Sequence, residues 1–204
     1  MTATTLFLAR HGETVWHDEN RYAGASDIGL TPRGAAQAEA LGVWAAGARL
    51  DALVTSPLSR ARRTAAPAAR ATGLTAVVEP DLAELDFGIA EGRTLAELRV
   101  SHPRECADFL RDPSAHPLPG GEDPVAAAAR GAAALLRIAD RHPGGRVLAV
   151  AHNSLFRLVL CRLLSIPGSE YRRVLPGLRN CAITELRAAP GQVSLMAYNV
   201  PTTP

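Results

Sequence analysis

The chain has 204 residues, 47% of them apolar, and a formal net charge of +2. That is length enough for one sizeable domain, or one with a modest inserted cap, and too little charge to recruit nucleic acid. No apolar run approaches the ~18–20 residues of a membrane span and no basic-then-apolar leader opens the chain, so neither a membrane partner nor a signal peptide is expected. Cys106, Cys161 and Cys181 are odd in number and lack metal-ligand spacing, which suits small core residues in a reducing cytoplasm. All 22 basic residues are arginine, whose planar fork matches phosphate oxygens, although a chain this rich in Ala and Gly owes most of that bias to base composition.

Leu6-Phe7-Leu8-Ala9 is an apolar run that stops at Arg10-His11-Gly12, the pattern of a buried strand that delivers a histidine at its carboxyl end. Val15 to Gly29 has no sustained period and reads as a loop over that edge. Thr31 and Pro32 then open a helix with an apolar face of Ala35, Ala38, Leu41, Gly42 and Ala45. Ala52 to Thr55 is a second strand. Ser56-Pro57 supplies an N-cap and a first-turn proline for a helix that runs to about Ala71 and ends at Gly73. Thr75 to Val78 forms a third strand, stopped by Pro80.

Leu82 to Glu91 is a segment of turns with Glu84 between two apolar anchors, Leu82 and Leu85. One or two short helices follow between Thr94 and Leu110, divided at His102-Pro103, and Asp112 to Gly121 is a proline-rich loop. The next helix runs from about Glu122 to Arg141 and ends at Pro143-Gly144-Gly145. Arg146 to Ala151 repeats the opening layout, an apolar run ending in His152, with a helix from near Ser154 that closes at Pro167-Gly168. Cys181 to Arg187 and Val193 to Ala197, separated by Pro190-Gly191, predict a terminal hairpin. Strands alternating with helices mean an α/β fold, here a three-layer α/β/α sandwich around a mostly parallel sheet. It forms a single domain over 1–204 with a small cap-like segment around 94–121. The carboxyl ends of parallel strands build the ligand site in such folds, which brings His11 and His152 to one edge.

Four groups of residues then stand out together. Arg10-His11-Gly12-Glu13-Thr14, Thr55-Ser56-Pro57-Leu58-Ser59-Arg60-Ala61 with Thr64-Ala65, Glu84 ahead of Phe87-Gly88 and Glu91-Gly92, and Ala151-His152 resemble the histidine phosphatase superfamily, also called the phosphoglycerate mutase-like family. Order and spacing agree across nearly the whole chain. The resemblance implies phosphoryl transfer, with catalytic residues His11, Glu84, Arg10, Arg60 and His152. A neutral His11 attacks phosphorus through one nitrogen while the other keeps its proton against a backbone acceptor, giving a phosphohistidine. Arg10 and Arg60 neutralise the oxygens, His152 adds a third positive group if it is protonated, and the N-terminus of the helix after His152 helps. Glu84 protonates the leaving group and then activates water, a role that needs a raised pKa.

The substrate-binding candidates are His17, Arg21, Tyr22 and Asn153. His17 stands where relatives commonly carry asparagine against the phosphoryl group, and an imidazole still donates from one nitrogen. Asn153 and Ser154 occupy positions where glycines are common. Arg21 either pairs with a second acidic group on the substrate or holds its loop to a nearby carboxylate. The expected function is a metal-independent, cofactor-free phosphomonoesterase acting on a small phosphorylated metabolite in the cytoplasm. Alternatives are a mutase-type phosphotransferase, a non-catalytic phosphate-binding module, and a metal site built from His11, His17, His152 and Glu84. Mutase relatives tend to be longer and carry an extra basic segment where Thr94 to Pro119 here is short and of mixed charge. Arginines beside the histidines argue against a cation. Nothing in the sequence ranks a dimer over a monomer.

Overall fold

The computed structural model of the chain describes residues 2–202. In order, the elements are β1 (Thr4–Arg10), α1 (Pro32–Gly47), β2 (Ala52–Thr55), α2 (Ser59–Thr72), β3 (Ala76–Val78), α3 (Leu95–Ser101), α4 (Pro103–Arg111), α5 (Pro124–Arg141), β4 (Arg146–Ala151), α6 (Asn153–Leu163), α7 (Tyr171–Val174), β5 (Ile183–Ala189) and β6 (Gln192–Val200). Short 3-10 turns lie at Pro80–Leu82, Gly88–Ala90 and Gly168–Glu170. The six strands form one sheet in the order β3-β2-β4-β1-β5-β6. β1 to β4 run parallel, and the β5–β6 hairpin adds an antiparallel edge.

Alternation along β1 explains the layers. Leu6 and Leu8 enter a buried cluster with α5 and α6, whereas Phe7 and Ala9 enter another with α1 and α2. A strand buried on both faces reads as a continuous apolar run, which is what this stretch shows. Each Leu or Ile removed completely from water here contributes about 1.5–3 kcal/mol. Small residues let the helices come close: a Cβ on Gly131 of α5 would lie 2.6 Å from Val159 of α6. A third cluster of Ala90, Leu98, Cys106, Phe109 and Leu118 gives α3, α4 and the loop behind them a core of their own, with Tyr22 and Phe87 packed against it.

The parallel pairing of β1 with β4 sets the two histidines side by side. Arg10 is in register with Ala151, and the His11 N–H donates to the Ala151 carbonyl at 2.9 Å. Both chains leave the sheet at the same level, so His11 and His152 emerge together.

Three local expectations change. Ser56 does not cap α2, which begins at Ser59 behind Leu58 with no side-chain cap. Its hydroxyl is engaged instead with His152 Nε2 at 2.6 Å, while also accepting from the Leu58 N–H. Helix α6 begins one residue early, at Asn153, and stops at Leu163, short of Pro167. The short helix α7 has no sequence counterpart, because Tyr171-Arg172-Arg173-Val174 is too brief to show a period. All three cysteines are free and buried, as small core residues should be. Among the described residues no helix is long and apolar enough to cross a membrane.

Candidate active site

A cavity of about 260 Å³ opens at the carboxyl ends of β1 and β4, with Arg10, His11, His17, Arg21, Tyr22, Glu84 and Asn153 among the residues on its wall. His11, buried, directs Nδ1 at the Gly12 carbonyl 2.7 Å away. A carbonyl only accepts, so Nδ1 carries the proton and Nε2 keeps the lone pair. The turn that makes this possible needs glycine at position 12, where a Cβ would sit 2.4 Å from the Gly34 carbonyl oxygen. Burial, with Arg10 and Arg60 adding to it, holds the His11 pKa well below its ordinary value, and the ring is neutral.

Arg10 donates from NH1 to the Leu178 carbonyl at 2.8 Å, and its NH2 lies 2.7 Å from His17 Nε2. Burial lowers its pKa to about 10, which leaves the guanidinium charged at neutral pH. Arg60 and His152 are fully buried and do not reach the cavity wall. Arg60 is held by the carbonyls of Ser26 and Gly24, each at 2.7 Å, on a loop that the Glu91 carboxylate pins through the N–H groups of Gly24 and Ser26. His152 is clamped by Ser56, and its ring centroid is 5.2 Å from that of His11. Burial first, then Arg60, His11 and Arg10, push the His152 pKa far down, so in this state it is neutral and the condition for a third cation is not met. Arg10 Nε, Arg60 Nε and His152 Nδ1 are buried without a hydrogen-bond partner.

Glu84 corrects another expectation. The first N–H groups of α6 do not aim at open space for an anion; Leu155 donates to Glu84 Oε1 at 2.8 Å and Ser154 to Oε2 at 3.0 Å. Leu85 N–H adds a third contact, to Oε1. Burial nevertheless raises the Glu84 pKa, against those donors and Arg60. Arg130 of α5, which the sequence reading passed over, supports the segment by donating to the carbonyls of Asp81 and Ala83 while holding both oxygens of Glu122.

The remaining candidates divide. Arg21 takes the second of its two alternatives, binding Glu19, Glu97 and the Gly92 carbonyl and so fastening its loop. Tyr22 packs edge-on against Phe87 and Phe109. Asn153 spends its carbonyl oxygen on the Leu178 N–H at 3.0 Å. His17 touches Arg10 and Thr14. The cavity also has walls that went unnoticed in the sequence: Arg157, Tyr171 and Arg172. Arg172 stacks over the Phe109 ring at 4.8 Å and, among the described residues, has no carboxylate partner. Arginines on helices read as solvated in a sequence, and only their neighbours in space show otherwise. Among the described residues no three His, Cys, Asp or Glu side chains form a group that would hold a metal ion.

Residues 6–201 match the histidine phosphatase superfamily, branch 1, and the chain belongs to that family. It is 34% identical over 184 residues to the Probable phosphoglycerate mutase GpmB of Cronobacter sakazakii, covering 89% of this chain and 83% of that one. Among solved structures it resembles a mycobacterial glucosyl-3-phosphoglycerate phosphatase, with a TM-score of 0.88 and 27% identity over 97% of this chain and 99% of that one. The alpha-ribazole phosphatase of Shigella flexneri superposes with a TM-score of 0.85 at 25% identity, over 97% of this chain and 96% of that one.

Proposed function

We propose that this phosphoric monoester hydrolase cleaves a small phosphorylated metabolite through a phosphohistidine on His11, without a metal ion. The observation that carries the reading is the His11 ring, whose Nδ1 is committed to the Gly12 carbonyl so that Nε2 offers a lone pair beside Arg10 and Glu84 at one cavity. In the first step Nε2 bonds to phosphorus, the ester P–O bond breaks, and Glu84 gives its proton to the departing alkoxide. In the second, the Glu84 carboxylate takes a proton from water, whose oxygen attacks phosphorus and returns His11 with release of orthophosphate. Arg10 and Arg60 supply the positive charge, and an arriving dianion favours protonation of His152. His17 faces the phosphoryl group beside Arg10, and Tyr22 and Asn153 face the rest of the substrate, under the cap formed by α3 and α4. The cavity volume of about 260 Å³ suits a metabolite rather than a polymer. Three unpaired thiols favour a cytoplasmic setting.

The test is phosphate release from a panel of phosphomonoesters in EDTA, with wild type and His11→Ala side by side. Wild type alone should release phosphate, and ³²P from labelled substrate should be trapped on His11. Activity in His11→Ala would remove the nucleophile assignment, and loss of activity in EDTA would remove metal independence. The same label decides against the mutase reading that the Cronobacter relative's name raises: a mutase passes it to a second hydroxyl of phosphoglycerate instead of releasing it to water.

A further inference from the structure

His17 and its neighbours make a demand that one imidazole cannot meet. Arg10 NH2 lies 2.7 Å from His17 Nε2, and a guanidinium only donates, so this contact needs a lone pair on Nε2. On the other side of the ring the Thr14 backbone N–H points at Nδ1 from 3.0 Å, which needs a lone pair there too. Thr14 Oγ1, 2.8 Å from the same Nδ1, accepts or donates. A neutral imidazole has one lone pair and one N–H. With the proton on Nδ1, the ring holds Arg10 and donates to Thr14 Oγ1, while the Thr14 N–H is opposed. With the proton on Nε2, the Thr14 N–H is satisfied and Arg10 is pushed away.

Adding a second proton does not resolve the conflict, because the imidazolium opposes both donors. The groups around the ring are Arg10, Arg60, Glu13 and the His11 ring, whose centroid is 6.1 Å away. Burial and Arg10 lower the His17 pKa, so the two neutral tautomers are the states that matter. Asn180 does not tip the balance: its amide donates to the His11 carbonyl at 2.7 Å and reaches Nε2 only at 3.5 Å.

We infer that His17 is a positioning residue that acts on Arg10 as a tautomeric latch, holding the guanidinium through Nε2 in the free protein and releasing it when a phosphoryl group enters. The inference rests on the phosphoryl-site reading above. On binding, the proton on Nδ1 leaves through Thr14 Oγ1 to solvent and solvent returns one to Nε2, so charge is conserved. Nε2–H then donates to a phosphoryl oxygen, Nδ1 accepts from Thr14, and Arg10 NH2 turns to the same anion. The two donors that competed for one lone pair, Arg10 NH2 and the Thr14 N–H, now have separate acceptors.

Ring-¹⁵N spectra of the whole protein, titrated with orthophosphate, read the tautomer directly, and the missing signal in His17→Asn assigns the residue. The expected result is Nδ1–H in the free protein and Nε2–H in the phosphate complex. His17→Asn, whose amide donates without exchanging a proton, should bind phosphate at least as tightly as wild type. His17→Ala should bind it roughly ten- to a hundred-fold more weakly. A phosphate complex in which Nδ1 keeps the proton overturns the latch alone, as does undiminished affinity in His17→Ala. Failure of phosphate to bind at all overturns the phosphoryl site and the latch with it.

Discussion

Replacing Glu84 by Gln separates proton donation from anchoring. Oε1 already accepts from Leu85 and Leu155, whereas Oε2 accepts only from Ser154, so the carboxyl proton belongs on Oε2. Glutamine keeps the volume and fits its carbonyl oxygen to the pair on Oε1. Its NH2 then faces the Ser154 N–H across a 3.0 Å contact, donor against donor. That mismatch costs about 1–3 kcal/mol of stability, and the loss of a general acid lowers turnover by about 10²- to 10⁴-fold where the leaving group needs a proton. An aryl phosphate, whose phenolate leaves unaided, should lose far less in its first step. The assay is single-turnover release from an alkyl and an aryl phosphate, with a urea melt of each protein. The pH profile gives a second reading: Glu84 must be protonated and His11 neutral, so kcat/KM should fall as pH rises through the raised Glu84 pKa, and this limb should vanish in the variant. Equal losses on both phosphates, or an unchanged alkaline limb, would refute Glu84 as the acid.

Stability should also decline with acid. His11 and His152 have folded pKa values below the ordinary 6.5, so as pH falls through 6.5 the unfolded chain binds protons that the folded chain refuses, and each ring contributes a loss of up to about 1.4 kcal/mol per pH unit. Glu84 opposes this, since its raised pKa lets the folded chain take its proton first; a urea midpoint that falls less steeply in His152→Asn than in wild type between pH 7 and 5, with the His11 contribution left, is the expected pattern. Gly12→Ala forces a Cβ to 2.4 Å from the Gly34 carbonyl oxygen and should destabilise the protein by about 1–3 kcal/mol or more, measured by thermal melting. Arg172→Met should raise KM for phosphoglycerate more than for glycerol phosphate, which lacks the second acidic group, because Arg172 is a cavity arginine stacked on a ring and, among the described residues, pairs with no carboxylate. Equal KM changes on the two esters would show that it only packs.

Much of the fold was legible because the chain states it locally. β1 and β4 are unbroken apolar runs, Thr31 and Pro32 cap α1 as written, and Gly73 ends α2 with φ of 72°. Parallel neighbours that end in register then bring His11 to His152, a step that needs topology but no side-chain detail. What stayed hidden depends on competition between partners. Ser56 has the composition of an N-cap, yet a buried imidazole 2.6 Å away claims its hydroxyl. The N-terminus of α6 has the polarity to hold an anion, yet a carboxylate from the same chain reaches it first. Arg130 sits among alanines on α5 and looks like a solvated helix residue until the carbonyls of Asp81 and Ala83 are found opposite it.

The use of α6 bears on how the site stays ready for an anion. A Glu84 free to move would be drawn to Arg10 or Arg60, and a phosphoryl group would have to displace it. Three backbone N–H groups hold it in place, so attraction to the arginines cannot collapse the site. The arginines are oriented by carbonyls instead, Leu178 for Arg10 and Ser26 and Gly24 for Arg60. A carbonyl dipole fixes a guanidinium without cancelling its charge, whereas a carboxylate partner would neutralise it. Positive potential is thereby kept in a buried place where Coulomb interactions are strong, and neutral histidines rather than cations fill the space between the arginines. Glu84 keeps a raised pKa despite three backbone donors because desolvation by burial outweighs them.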